Sequence, residues 1–467
     1  MSPSEVAADI SVDVAAGALR WSPSAGHERQ IKLNDIVGIV RASASSTSAY
    51  RVLYIESTSS ANEEDEMLSR VTHFDLASLP DGLSSHVKDL PAYLCKDKPV
   101  HVVVSTQSGT GTARDVFRNG VEPFLQSLGL VYETTETQSS QTILELAQSR
   151  FLEDACAGIA QTIILLSGDG GLVDLIDVFS KSQRSIQAAP DIALIPCGTG
   201  NAMASSIGLR FGPIYAVRTL LSGQSCSVPT IAVRFSPGAQ LVIDEGRQRA
   251  LISNISDPSQ QTLFGAVVAS WGLHAALVAD SDTTEYRKFG MERFKMAATE
   301  LLHPADGSMP HRFKGRIKLT TSRPSVSLGG NGDESGSQQP ITSHEYTLPE
   351  TEHMYVLTTL VPRLEKDFVI SPASKALDGR MRFLRFGPLS GEEAMRLLML
   401  AYQDGAHVKD ELMTYEEVER VRIDFDEEME RWRRVCIDGK IVAVEQSGWM
   451  EISMDARRLL NLITPIE

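Results

Sequence analysis

Three times between residues 99 and 208, an apolar run that reads as a buried strand breaks into glycine, and a helical pattern follows. PVHVVVS runs into QSGTGT and then ARDVFRNGVEPFLQSLG; TIILLS into GDGG and then LVDLIDVF; DIALIP into CGTGN and then AMASSIG. Between the first two, LVYETT and SQTILELAQSRFLEDACAG supply a further strand and helix. Strand-like runs alternating with helical periods argue for a parallel sheet with crossover helices. Loops leaving the carboxyl ends of such strands gather where ligands bind. This alternation specifies an α/β lobe over residues 96–226.

Glycine at these junctions permits positive φ and lets a ligand approach the backbone closely. Unpaired N–H groups at a helix start, aided by the helix dipole, favour phosphate. The candidate positions are Ser108, Gly109 and Gly111 in the first loop, and Ser167, Gly168, Gly170 and Gly171 in the second. Gly198, Thr199, Gly200 and Asn201 form the third, and Thr135, closing LVYETT, joins them. No loop carries the lysine of a P-loop or the full GxGxxG spacing. Asp169, a lone carboxylate ringed by glycines, suits a helix N-cap or a proton acceptor beside phosphate. Cys197, beside the third loop, reads as a small packed residue.

The flanks have a different texture. Residues 1–95 hold GALRW, IKLNDIVGIV, YRVLYIES and VTHFDLASL between polar breaks, which predicts a small β-rich module. From Ser227 onward TIAVRFS, AQLVIDEG, TLFGAVVASWG, KGRIKLTT, EHMYVLTTLV, RMRFLRFG, VERVRIDF and GWMEIS predict a β-rich lobe, an antiparallel sandwich, over 227–467. One helix is expected in it, from Thr284 to Leu302. Residues 322–343 lack a core pattern and read as a disordered insertion. RMRFLRF mixes arginine with aromatics, as a solvated strand face or a membrane contact would.

A chain of 467 residues exceeds one compact core. Its 44 basic and 60 acidic residues give a net charge of -16, which argues against nucleic acid as the main partner and against bulk adhesion to anionic membranes. Five scattered cysteines without a CxxC pair fit a reducing compartment. The N-terminus lacks the basic and apolar regions of a signal peptide, and the apolar stretch 264–279 is short for a membrane span. The expected location is cytoplasmic, with peripheral contact at internal or plasma membranes.

SGDGGLVDLID, then PCGTGNAMA, then WGLHAALVADSDTTEYRKFGMERF and finally CIDGKIV resemble the diacylglycerol kinase catalytic family, in its sphingosine (long-chain-base) and ceramide kinase branch. The N-terminal module resembles the pleckstrin-homology-like segment of some lipid kinases. The resemblance implies an ATP-dependent lipid kinase using Mg²⁺, a lipid substrate with a sphingoid base favoured, and transient contact with a membrane surface. It makes Asp169 the catalytic carboxylate, with Asp174 where the family has Glu. The glycine loops, Arg287, Arg293, Asp438 and Gly439 would hold ATP, with Asp438 also holding the metal. Guanidinium groups suit oxyanions because they fork onto two oxygens and stay charged.

Two further family positions differ: Ser105-Thr106 stands for Asn-Pro, and Lys440 for Glu. In sphingosine kinases an Asp soon after Trp-Gly recognises the lipid head group. Counting from Trp271 gives Ala276, and counting back from Tyr286 gives Val278, which leaves Asp280 as the candidate with Asp282 beside it. A sphingoid ammonium wants a carboxylate, whereas diacylglycerol or ceramide does not. Plainer readings stay open: Asp438-Gly439 is also a good hairpin turn, and Asp174, Arg287 and Arg293 suit solvated charges. So do a kinase for diacylglycerol or ceramide, an NAD-kinase-like phosphotransferase and a catalytically weak lipid-binding scaffold.

Overall fold

The computed structural model describes residues 7–13, 15–23, 28–42, 48–56, 69–109, 111–209, 212–252, 261–290, 292–324 and 341–466. The chain divides into two compact units: Met1–Leu175, Arg184–Ser227 and Leu459–Glu467 form unit 1, and Ile176–Gln183 with Val228–Arg458 form unit 2.

Unit 1 is built on a six-stranded sheet. Its spatial order is Gln224–Ser227, Asn461–Thr464, Asp191–Pro196, Thr162–Ser167, Val100–Val104 and Glu133–Glu136. All neighbours run parallel except the first pair. Val100–Val104 and Thr162–Ser167 are buried along their whole length, as central strands covered on both faces must be. The expected crossover helices form over 113–127 and 142–156, each with one π-helical turn, at Phe117–Val121 and Ala147–Phe151. One expectation is corrected here: Leu459–Glu467 leaves the C-terminal lobe, and Asn461–Thr464 inserts between Asp191–Pro196 and Gln224–Ser227.

The N-terminal strands form two three-stranded antiparallel sheets, Ala7–Asp13, Ala18–Pro23 and Arg29–Lys32, then Ile36–Arg41, Tyr50–Glu56 and Arg70–Leu76. Trp21, Tyr54 and Phe74 fill their shared core, with Trp21 stacked on Phe74 at 4.3 Å.

Unit 2 holds two antiparallel sheets that contribute to one core around the fully buried Trp271. Phe313 and Phe425 meet its ring edge-on at 5.8 and 5.2 Å. The expected helix is broken at Gly290 (φ 54) into Thr284–Arg287 and Glu292–Leu302. A further helix, Leu273–Ser281, follows Trp271-Gly272 directly. Within the expected insertion, Ser322↔Ser343, Arg323↔Thr342 and Pro324↔Ile341 are paired strand positions, and 325–340 lie outside the described residues.

Met381–Phe386 is buried throughout, so RMRFLRF is neither a solvated face nor a membrane contact. Arg382 reaches Glu417 at 3.1 Å, and Arg385 Nε donates to His353 Nδ1 at 2.9 Å. No described helix is long and apolar enough to cross a membrane.

Candidate functional site

The three glycine loops leave the carboxyl ends of three adjacent parallel strands of unit 1, and they pack backbone on backbone. A Cβ at Gly109 would lie 2.5 Å from the Cys197 carbonyl oxygen, and one at Gly198 would lie 2.3 Å from Gly168 Cα. No side chain fits at either place, so mutual loop packing alone demands these two glycines. Gly170 is different: it is exposed, and a Cβ there would meet nothing within 4 Å.

Hydroxyls and one amide stitch the loops. Ser108 Oγ donates to Ser105 Oγ at 2.6 Å and lies 3.5 Å from Ser167 Oγ. The Thr106 hydroxyl donates to the Thr137 carbonyl at 2.9 Å, and the Thr106 N–H to Thr137 Oγ1 at 3.1 Å. Thr137 is thus the hydroxyl that ties the first loop, while Thr135 sits half-buried in the strand, paired with Val103. Asn201 adopts φ 51 and closes the third loop on itself, its Oδ1 accepting from the Gly198 N–H (3.0 Å) and its Nδ2 donating to the Gly198 carbonyl (2.6 Å). Thr199 and Gly200 complete that bend, half-buried.

Asp169 opens the helix Asp169–Lys181, yet its carboxylate caps another helix. Oδ2 accepts from the Ala202 N–H at 2.6 Å and Oδ1 from the Met203 N–H at 3.0 Å, the first two amides of Ala202–Ser206. Asp169 therefore locks the second loop to the third. Each oxygen keeps a lone pair beyond the one used. Burial pushes the carboxyl above the ordinary carboxylate range, against the opposing pull of the two amides. The residue is surrounded by protein but keeps partial access to solvent. Asp174 lies half-buried further along the same helix. Cys197 is packed, its thiol pushed up to about 12 by burial.

The other candidates belong to unit 2. Asp438 (φ 45) and Gly439 (φ 87) form the two-residue turn between Arg434–Ile437 and Lys440–Ala443, both in the left-handed region as such a hairpin requires. The Asp438 carboxylate accepts from three consecutive amides: Ala266 (2.6 Å), Val267 (3.1 and 3.2 Å) and Val268 (2.6 Å). It thereby shapes the link between Gln261–Gly265 and Val268–Gly272. Among the described residues no three His, Cys, Asp or Glu side chains gather as a metal site. With its oxygens turned to backbone amides, Asp438 does not fit the metal role expected of it. Lys440 Nζ lies 3.3 Å from Asp177 Oδ2, which also accepts from Lys181 Nζ at 2.8 Å.

Arg293 lies 3.6 Å from Asp282 and over the Phe294 ring at 4.6 Å. Arg287 ends the helix Thr284–Arg287, and its side chain lies outside the described residues. Asp280 takes Arg431 Nη2 at 2.8 Å and Arg434 Nη2 at 2.7 Å. Committed to two guanidinium groups, it is not available as the counter-charge for a lipid ammonium, which corrects the expectation from the sequence.

Residues 99–233 match the model of the diacylglycerol kinase catalytic domain. Sphingosine kinase 1 of Mus musculus is 23% identical over 318 residues, covering 66% of this chain and 78% of its own. Sphingosine kinase 1 of Homo sapiens is 22% identical, with 66% and 77% covered. Sphingoid long chain base kinase 5 of Saccharomyces cerevisiae is 26% identical over 146 residues, 29% of this chain and 20% of its own. In fold, the chain is similar to a crystal structure of a Bacillus anthracis str. Sterne protein assigned as a diacylglycerol kinase. The TM-score is 0.50 at 14% identity, over 79% of this chain and 96% of that one. The similarity to the diacylglycerol kinase catalytic domain is thus carried by residues 99–233.

Proposed function

We propose that this chain is an ATP-dependent lipid kinase that transfers the γ-phosphoryl group to a hydroxyl of a sphingoid long-chain base. The observation that carries the reading is the open space over Gly170, at the start of a helix and between loops that are otherwise packed against each other. Phosphoryl transfer asks for positioning and charge stabilisation more than for covalent chemistry by the protein. Loop amides and the first turn of Asp169–Lys181 supply donors and a favourable dipole for the donor phosphates. Asp169 then takes the proton of the lipid hydroxyl as its oxygen attacks the γ-phosphorus and ADP departs. A carboxyl with a raised pKa is a better matched base near neutral pH than an ordinary one.

The lipid half of the reading rests on the sphingosine and sphingoid-base kinases to which the chain is similar, and on Leu273–Ser281. That helix is apolar nearly all round, and Leu277 and Val278 keep partial exposure, as the wall of an acyl-chain pocket would. Arg293 is assigned to oxyanion binding. No step is assigned to a metal at Asp438.

Gly170→Ala is the test. An alanine meets no atom there and favours the helix, so stability should hold or rise by about 0.5–1 kcal/mol. ATP affinity should nevertheless fall by about tenfold or more, because the methyl group occupies the space kept for phosphate. Unchanged affinity in a folded variant would remove the donor from this loop.

A further inference from the structure

The carboxylates expected to meet the lipid head group are committed elsewhere: Asp280 to Arg431 and Arg434, Asp282 to Arg293. Ala276, at the matched position, is 2% exposed. A different polar group occupies the same helix. His274 Nδ1 lies 2.7 Å from Ser270 Oγ, which is fully buried in the strand Val268–Gly272. The His274 ring meets the Tyr355 ring edge to face at 6.0 Å, and Tyr355 stacks on Phe386 at 5.2 Å.

Tyr355 is 3% exposed, and among the described residues its hydroxyl makes no hydrogen bond. His274 Nε2 likewise has no hydrogen-bond partner among the described residues. Neither atom is sealed from solvent. Two polar groups on rings that meet, each with a hydrogen-bonding position open, are the few polar contacts that orient a ligand in a mostly apolar site.

We propose that His274, positioned by Ser270 and flanked by Tyr355, is the specificity-determining residue that holds the polar head of the acceptor lipid through neutral hydrogen bonds rather than an ion pair. The proposal rests on the lipid-kinase reading above. Burial holds the imidazole pKa down to about 4, so the ring is neutral at physiological pH. A serine hydroxyl can donate to Nδ1 or accept from it, so either tautomer is supported. Nε2 can thus accept from a hydroxyl or amine N–H, or donate to an amide carbonyl. A site of this kind does not require a charged head, and it should accept an N-acylated base about as well as the free one.

The test is transfer of label from ATP to mixed micelles of a free sphingoid base or of its N-acyl derivative, using the full chain. His274→Leu, His274→Gln and Tyr355→Phe are compared with the unmodified protein, each checked for a native melt. His274→Leu should raise the lipid KM by about tenfold or more while leaving the ATP KM unchanged, and His274→Gln should restore most of the loss. Tyr355→Phe, which breaks no internal hydrogen bond, should raise the lipid KM about threefold or more. In the unmodified protein the two lipids should agree within about fivefold in kcat/KM. An unchanged lipid KM in both His274→Leu and Tyr355→Phe overturns the proposal, as does a preference of about a hundredfold for the free base.

Equilibrium binding of the same lipids without ATP separates this proposal from the kinase reading. If no lipid is phosphorylated but His274→Leu weakens lipid binding, the kinase reading falls and the head-group site stands. If binding is equal in both proteins, the head-group site falls.

Discussion

Asp169 accepts two backbone amides and, in the proposed mechanism, also takes a proton, so its carboxylate is under two demands. Asp169→Asn offers one carbonyl oxygen to two N–H donors. One donor is left unsatisfied, and stability should fall by about 1–3 kcal/mol, read as a lower urea midpoint. Turnover should fall much further, by about a hundredfold to ten-thousandfold, with ATP affinity little changed. Turnover equal to that of the unmodified protein would leave Asp169 as a cap and nothing more.

The raised pKa of Asp169 adds a pH signature. Protonated Asp169 cannot accept a proton, so kcat should fall on the acid side with a midpoint above the usual carboxylate value, and a midpoint at that value would contradict the role. Stability runs the other way. The folded carboxyl holds its proton to higher pH than the unfolded one, so its contribution is greatest at low pH and declines as pH rises between the two values. At the same scale, the sequence made Asp169 a cap or a base, and the geometry makes it the cap of a different helix, Ala202–Ser206. That partner lies 33 positions away along the chain, and no local pattern announces it.

Among the elements, the strand–loop–helix repeats of residues 99–208 were legible because each carries its own signal, an apolar run followed by glycine and a helical period. Leu273–Ser281 was not. It continues the apolar run of Val268–Gly272 and has no polar face, so only Gly272 marks the boundary. There φ is 85, and a Cβ would strike the Met354 carbonyl oxygen at 2.5 Å. The Asp438-Gly439 hairpin was legible as a turn, but the amides that fill its carboxylate come from residues 266–268 on another strand connection. Asp438→Ala would orphan three adjacent donors, so the melt should shift by the equivalent of about 3 kcal/mol or more. A variant as stable as the unmodified protein would free the carboxylate for ligand or metal.

At the scale of the whole molecule, division into an α/β part and a β-rich part followed from the change of texture near Ser227, and unit 1 ends its middle segment at that residue. The return of Asn461–Thr464 to the parallel sheet did not, because a four-residue strand has too little pattern to name its partners. Site chemistry divides the same way. The glycine loops are visible in the letters, whereas the commitment of Asp280 to Arg431 and Arg434 depends on contacts more than 150 positions apart.

The most direct measurement incubates the purified chain with labelled ATP, Mg²⁺ and separate micelles of sphingoid base, N-acylated base and diacylglycerol, with Asp169→Asn in parallel. Label in the sphingoid lipids that is lost in the variant is the predicted result. ATP binding without label in any lipid would contradict the assignment of this chain as a lipid kinase.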